Sequence, residues 1–292
     1  MAKIHKIRRR IKSVGKISQI TAAMEKVAAS KMRRALSATL RSRAYATSAS
    51  EILTHLYQLT REQTKQHPLF VRHKGARRLI IVISSDRGLA GAYNSNIARV
   101  LMREAAARPK PRVIAIGRKG AQVAARVSRA GMLDLIATYQ DIPTEPSSSY
   151  VQPIVTAVIE GYIKKDFDRV EVLYTDFVSS LRQVVTLKHL LPIDPNVMGK
   201  GLVGENVQEA LFEPSPEAVL DFIVPRLVGI QVYQALLEAI ASEQAMRMMA
   251  MKNASDNAGE LIEDLTLSYN SARQAAITQE LAEITVGAAA VQ

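Results

Sequence analysis

The sequence predicts an α/β domain inserted between two long helices. Three observations carry this: the placement of proline, the apolar spacing of the two flanks, and alternating strand and helix patterns between them. All 11 prolines lie between Pro68 and Pro225, leaving 67 proline-free residues at each end. A proline inside a helix costs ~3 kcal/mol, so both flanks are free to be long helices.

The first flank reads Ile4, Ile7, Ile11, Val14, then Ile17, Ile20, Met24, Val27. This is an apolar stripe at three- and four-residue spacing with one slip after Val14, of the kind that alters a coiled coil locally without ending it. In the middle, RRLIIVISS (77–85) is a β-branched run followed by a two-glycine loop and a helical pattern over 93–107. RVIAIG (112–117) with RKGAQVAARVSRA repeats the unit. PTEPSSSYVQPIVTAVIEGYIKKDF then leads into RVEVLYTDF (169–177), and RQVVTLKHLLPI reads as an antiparallel or edge strand. Strands alternating with helices imply a mostly parallel, Rossmann-like sheet with helices on its faces. The last flank carries Ile230, Tyr233, Leu237, Ile240 and later Leu261, Leu265, Tyr269, Ile277, Leu281, Ile284. Its weak point is NASDNAG (253–259), poor in helix formers, through which a continuous helix is expected.

The expected division is therefore residues 1–67 as an N-terminal coiled-coil helix, 68–208 as the α/β domain, and 209–292 as a C-terminal coiled-coil helix. A helix of 67 residues is ~100 Å long, against a radius of gyration of ~15 Å for a compact domain of the central size. Long lone amphipathic helices are unstable in water, so the flanks are expected to pair antiparallel as a shaft.

Charge separates the two flanks. Residues 1–43 hold thirteen basic groups against the single acid Glu25, whereas residues 210–292 hold four basic and eleven acidic groups, within a chain of net charge +12. The ends are electrostatically complementary. A basic arm also suits nucleic acid or an anionic membrane, but its first aromatic is Tyr45, so nothing in it stacks on bases or anchors in lipid. No uncharged apolar run approaches the ~18 residues of a membrane span, and the N-terminus lacks a secretory apolar core. The absence of cysteine excludes disulfides, thiolate metal sites and a cysteine nucleophile.

Few residues suggest chemistry. SSDRGLAGAYN (84–94) lies where a strand meets a helix, a phosphate-binding position in α/β sheets, yet it lacks both GxGxxG and a GK[ST] ending. Asp86 and Arg87 read as an ion pair or a partner contact. His5, His55, His67, His73 and His189 are scattered without metal-ligand spacing, and no carboxylate pair stands out as acid and base. Met246, Met248, Met249 and Met251 suit adaptable helix packing. No catalytic residue, metal or cofactor is expected.

Three blocks are distinctive: IRRRIKSVGKISQITAAMEKVAASKMRRA, SSDRGLAGAYNSNI, and ASEQAMRMMAMKNASDNAGELIEDLTLSYNSARQAAITQELAEITVGAAAV. Together they closely resemble the γ subunit of the F-type ATP synthase, in order and over essentially the whole chain. Ala90 stands where a cysteine is frequent in that family, and no chloroplast-type cysteine insertion is present. The resemblance implies a rotor without an active site. Its coiled coil would enter a ring of α and β subunits, with catalysis in β, while its α/β domain would meet the ε subunit and the c-subunit ring. It implies a peripheral position on the cytoplasmic face of a bacterial plasma membrane, held there only through the complex, and no nucleic-acid partner. It also implies contacts with the catalytic head at Met24, Arg247, Gln274 and Thr278, and with the c ring at Phe212 and Glu213, where Phe212 replaces a common Tyr. Finally, ITVGAAAVQ (284–292) has no charged side chain, so Ile284, Val286 and Val291 are expected to form an apolar bearing tip covered by the ring of α and β subunits.

Overall fold

The computed structural model describes residues 2–59, 67–194 and 215–290; Phe212, Glu213 and Val291 lie outside the described residues. In chain order the elements are α1 (Ala2–Leu59), β1 (Arg78–Ile83), α2 (Tyr93–Ala105), β2 (Arg112–Ile116), α3 (Arg118–Arg129), β3 (Asp134–Tyr139), α4 (Ser148–Ile163), β4 (Arg169–Phe177), β5 (Gln183–Leu191) and α5 (Pro216–Ala290). They form two compact units, one of residues Ser30–Met246 and one of Met1–Ala29 with Arg247–Gln292. Helices α1 and α5 each contribute to both.

The larger unit is built on a five-stranded sheet of order β3-β2-β1-β4-β5. The first four strands in that order are parallel and β5 returns antiparallel to β4, as the RQVVTLKHLLPI pattern predicts. Leu79 to Ile83 of β1 are buried on both sides, which is why the run is continuously apolar rather than alternating. Successive residues serve opposite layers. Leu79, Ile81 and Ile83 pack with α4 and the first part of α5, whereas Ile80 and Val82 pack with α2 and α3. Each such side chain contributes ~1.5–3 kcal/mol when taken out of water.

Strand β3 has no counterpart in the strand pattern read above. It is a short sheet edge whose residues are only partly covered, with Ile136 exposed, so no apolar run marks it. The start of α5 also differs from the proline-free flank: the helix begins at Pro216 and contains Pro225. Pro216 suits a first helical position, where no N–H is needed. Around Pro225, Leu220, Val224, Leu227 and Val228 are buried in the sheet's core, and their combined burial outweighs the ~3 kcal/mol cost of an interior proline. Helix α5 is also strongly apolar over part of its length. One 18-residue window reaches a mean hydropathy of 1.3, enough by length and composition for a membrane span, and 44% of that window is buried inside the molecule.

At the opposite end of the strands a polar clasp fixes the entry into β1. Asp168 accepts from the Arg77 backbone N–H at 2.9 Å and from its guanidinium at 3.0 Å twice. The Arg77 side-chain bond holds the Asp168 carboxyl below the usual carboxylate range. Gly75 is required beside it, because a Cβ there would overlap the Asp168 carboxylate.

Candidate functional site: the paired terminal helices

In the smaller unit the start of α1 and the end of α5 run side by side. Ser18 Oγ lies 3.4 Å from Ser255 Oγ, and the half-covered stripe on α1 runs Ile4, Ile7, Ile11, Val14, Ser18, Thr21, Glu25 and buried Ala28. This heptad continues without a slip, which corrects the register read from the sequence. Small and polar residues fill the inner positions after Val14, letting the backbones approach closely. Ile17, Ile20 and Val27 instead point to solvent, 53%, 59% and 55% exposed. Each lies one position before an inner residue, so they form a second apolar stripe on an adjacent face, with Met24 half-buried between them.

On α5 the inner residues are Arg247, Met251, Ser255, Ala258, Ile262, Leu265 and Tyr269. The helix runs unbroken through NASDNAG, as expected, because Ser255 and Ala258 face inward while Asn253, Asp256 and Asn257 face solvent. The Ser18 and Ser255 contact sets an antiparallel register in which Ala2 falls opposite roughly residue 271. Helix α5 therefore continues for about 19 residues, ~28 Å, beyond the start of α1. In that overhang Gln274 and Thr278 are exposed one turn apart, and the Thr278 hydroxyl donates to the Gln274 carbonyl at 3.0 Å. Ile284 and Val286 are 66% and 69% exposed, so the described residues leave most of these side chains uncovered.

Arg247, expected above as a contact with the catalytic head, is largely covered by its own chain. It is only 9% exposed within its own chain. The stripe of Ile17, Ile20 and Val27 is the converse case, solvent-facing residues that sequence reading placed in the seam. The signal that separates the two faces is the unbroken heptad through Ser18, Thr21 and Ala28, visible only when small polar residues are admitted as inner positions.

The loop 84–94 is occupied by its own chain. Asp86 does not pair locally with Arg87 through the bonds seen here. Its carboxylate accepts from the Arg118 N–H at 2.9 Å and the Ile142 N–H at 2.6 Å. Lys119 N–H donates to Ser85 O at 2.9 Å and Gly120 N–H to Ser84 Oγ at 2.7 Å. The first three donors of α3, the groups that would cradle a phosphate, are thus satisfied internally. Gly117, at φ 96°, is needed for this turn because a Cβ would strike Ser84. Among the described residues no group of three or more His, Asp or Glu is placed to hold a metal ion.

Long paired terminal helices with an exposed apolar stripe, together with an α/β sheet whose helix start is closed by its own side chains, define a coiled-coil protein with an inserted α/β domain. The family profile described as ATP synthase matches residues 3–291. The ATP synthase gamma chains of Herpetosiphon aurantiacus and Roseiflexus castenholzii are each 42% identical, over 100% of this chain and 99% of theirs. Among solved structures, the Tetrahymena thermophila mitochondrial ATP synthase central stalk and c-ring matches with a TM-score of 0.61 at 28% identity, covering 81% of this chain and 99% of that one. The rotor of the Euglena gracilis mitochondrial enzyme shares the fold with a TM-score of 0.64 at 21% identity, covering 94% and 99%. The chain belongs to the ATP synthase gamma chain family.

Proposed function

We propose that this chain is the central-stalk rotor subunit of an F-type ATP synthase. In this reading it couples ion flow through the c-subunit ring to conformational cycling of the catalytic β subunits. The observation that carries the reading is the apolar stripe and overhanging tip of the helical pair, which this chain leaves open to water and which an enclosing ring of α and β subunits would cover. Catalysis resides in β. The rotor acts by differential contact, each angle stabilising a different set of β conformations.

Its parts follow the boundaries 1–67, 68–208 and 209–292, with the α/β portion meeting the ε subunit and the c ring, the latter near Phe212 and Glu213. Met24, Gln274 and Thr278 meet the head. Arg247 does so by the small edge its own chain leaves open. The complex sits at the cytoplasmic face of a bacterial plasma membrane. Ile284, Val286 and Val291 form the bearing, since fixed salt bridges would have to break at every rotational step, whereas small apolar groups have no strong directional preference.

The test is reconstitution. Purified α and β subunits should gain sustained ATP turnover when the chain is added, and a probe attached to the α/β portion should rotate. ATPase activity that stays with the isolated chain through exhaustive purification would overturn the reading.

A further inference from the structure

Within the larger unit, the described side chains of α1, up to Ser48, offer little apolar grip. Beyond Met32, Ala35 and Thr39 are buried, and Leu36, Ala38, Ser42 and Ala46 are half-covered. The Thr39 hydroxyl is spent on its own helix, donating to the Ala35 carbonyl at 2.9 Å. Apolar contact of this kind is non-directional and resists sliding or rolling poorly.

Four residues further on, Arg43 reaches across. Its Nε and Nη2 donate to Glu238 Oε1 of α5 at 3.1 and 2.8 Å, and Nη2 lies 4.0 Å from Asp176 Oδ1 of β4. Glu238 is buried, and the same oxygen accepts from Gln234 Nε2 at 2.7 Å. Tyr174 and Lys188 complete the surroundings from β4 and β5. Burial, followed by Glu238 and Asp176, pushes the Tyr174 phenol up. Burial and the neighbouring Glu238 also push the Asp176 carboxyl up, and desolvation pulls the Lys188 ammonium down. One guanidinium therefore ties α1 to α5 through charge-assisted hydrogen bonds that have a fixed direction, and faces the sheet's Asp176 at 4.0 Å as an ion pair without a hydrogen bond.

We propose that Arg43 and Glu238 are positioning residues for torque transfer: their ion pair, seated beside Asp176, is the clamp that stops α1 from slipping on the sheet when the rotor is loaded. The proposal rests on the rotor reading. It takes no part in assembly with the catalytic head, and its effect lies in how tightly hydrolysis and ion movement are tied together.

The contrast is Arg34, on the same helix, whose pair with Glu145 at 3.0 Å is exposed on both sides and is not expected to matter. In the full chain, hydrogen exchange of residues 36–46 should accelerate about tenfold in Arg43→Met and Glu238→Gln while α3 is unchanged. In vesicles carrying the assembled complex, the ratio of ATP-driven ion uptake to ATP hydrolysis should fall by about half in both variants. The charge-reversed pair Arg43→Glu with Glu238→Arg should regain much of it, and Arg34→Met should match the unmodified protein. An unchanged ratio in Arg43→Met, or equal loss in Arg34→Met, would overturn the clamp. Failure of the unmodified chain to support any coupled turnover would instead overturn the rotor reading, and it is seen without a substitution.

Discussion

Ile81 and Ile20 are the same side chain in opposite situations. Ile81 lies in the central strand with no exposed surface, while Ile20 lies on a helix of the terminal pair and is 59% exposed. The central strands of the sheet bury their apolar residues on both faces, while the rim of the same unit still exposes Leu89, Leu181 and Phe222. The helical pair satisfies one stripe and leaves another to something else. The difference teaches that stability and function are drawn from separate populations of apolar residues here. A melt reads the first and an assembly assay reads the second.

The largest effect should come from the sheet. Ile81→Ala should lower the unfolding free energy of the isolated chain by about 2–5 kcal/mol in a denaturant titration, through lost transfer energy and an unfilled cavity. A cost under about 1 kcal/mol would mean that the core is looser than its burial indicates.

Arg247→Ala comes next, at about 1–3 kcal/mol, because truncation strips a buried polar group from its surroundings. If the melting temperature does not move, Arg247 belongs with the outward-facing residues after all.

The Asp168 clasp gives a pH signature. Its folded pKa is depressed, chiefly by Arg77, so its stabilisation is present above the unfolded value and lost as pH falls through the lower folded one. With an unfolded value of about 3.9, Asp168→Asn should flatten the acid limb of the stability curve below about pH 4 and change its slope little at neutral pH. An unaltered acid limb would place the acid sensitivity elsewhere.

Much of the sheet was legible because central parallel strands, buried on both faces, write themselves as continuous β-branched runs. RRLIIVISS and RVEVLYTDF are of this kind. β3 was illegible for the complementary reason, since an edge strand needs no such run. The helical pair was legible as helix and ambiguous as to face. Two apolar stripes one residue apart look like a single stripe with a slip, and Ser18, Thr21 and Ala28 carry no hydrophobic signal although they hold the seam. Arg247 could not be read as buried, because an arginine's covering depends on neighbours that the linear sequence does not specify. The uncharged tip was legible from composition alone, while Phe212, Glu213 and Val291 lie outside the described residues.

Smaller effects test the helical side. Ile20→Ala should change the stability of the isolated chain by no more than about 0.5 kcal/mol, and the triple change of Ile17, Ile20 and Val27 to Ser should lower the yield of assembled complex instead. A normal yield would remove that stripe from the interface.

The smallest effect on the isolated chain is expected at the tip, where Val286→Asp with Ala289→Asp should leave the melt unchanged. In rotation assays the same pair should perform worse than deletion of 284–292, by placing unpaired charges in an apolar sleeve. Performance equal to the unmodified chain would rule out a buried bearing.

The contact between Ser18 and Ser255 joins residues 237 positions apart in the chain. Synthesis proceeds at about 5–20 residues per second, so the start of α1 leaves the ribosome some 12–50 s before the segment that pairs with it exists. During that interval both of its apolar stripes, the seam and the outward face, are open to water beside a dense run of positive charge. The newborn N-terminal arm therefore waits with apolar surface that chaperones can cover, and slowing translation before Ser255 should lower soluble yield more than an equal delay after it.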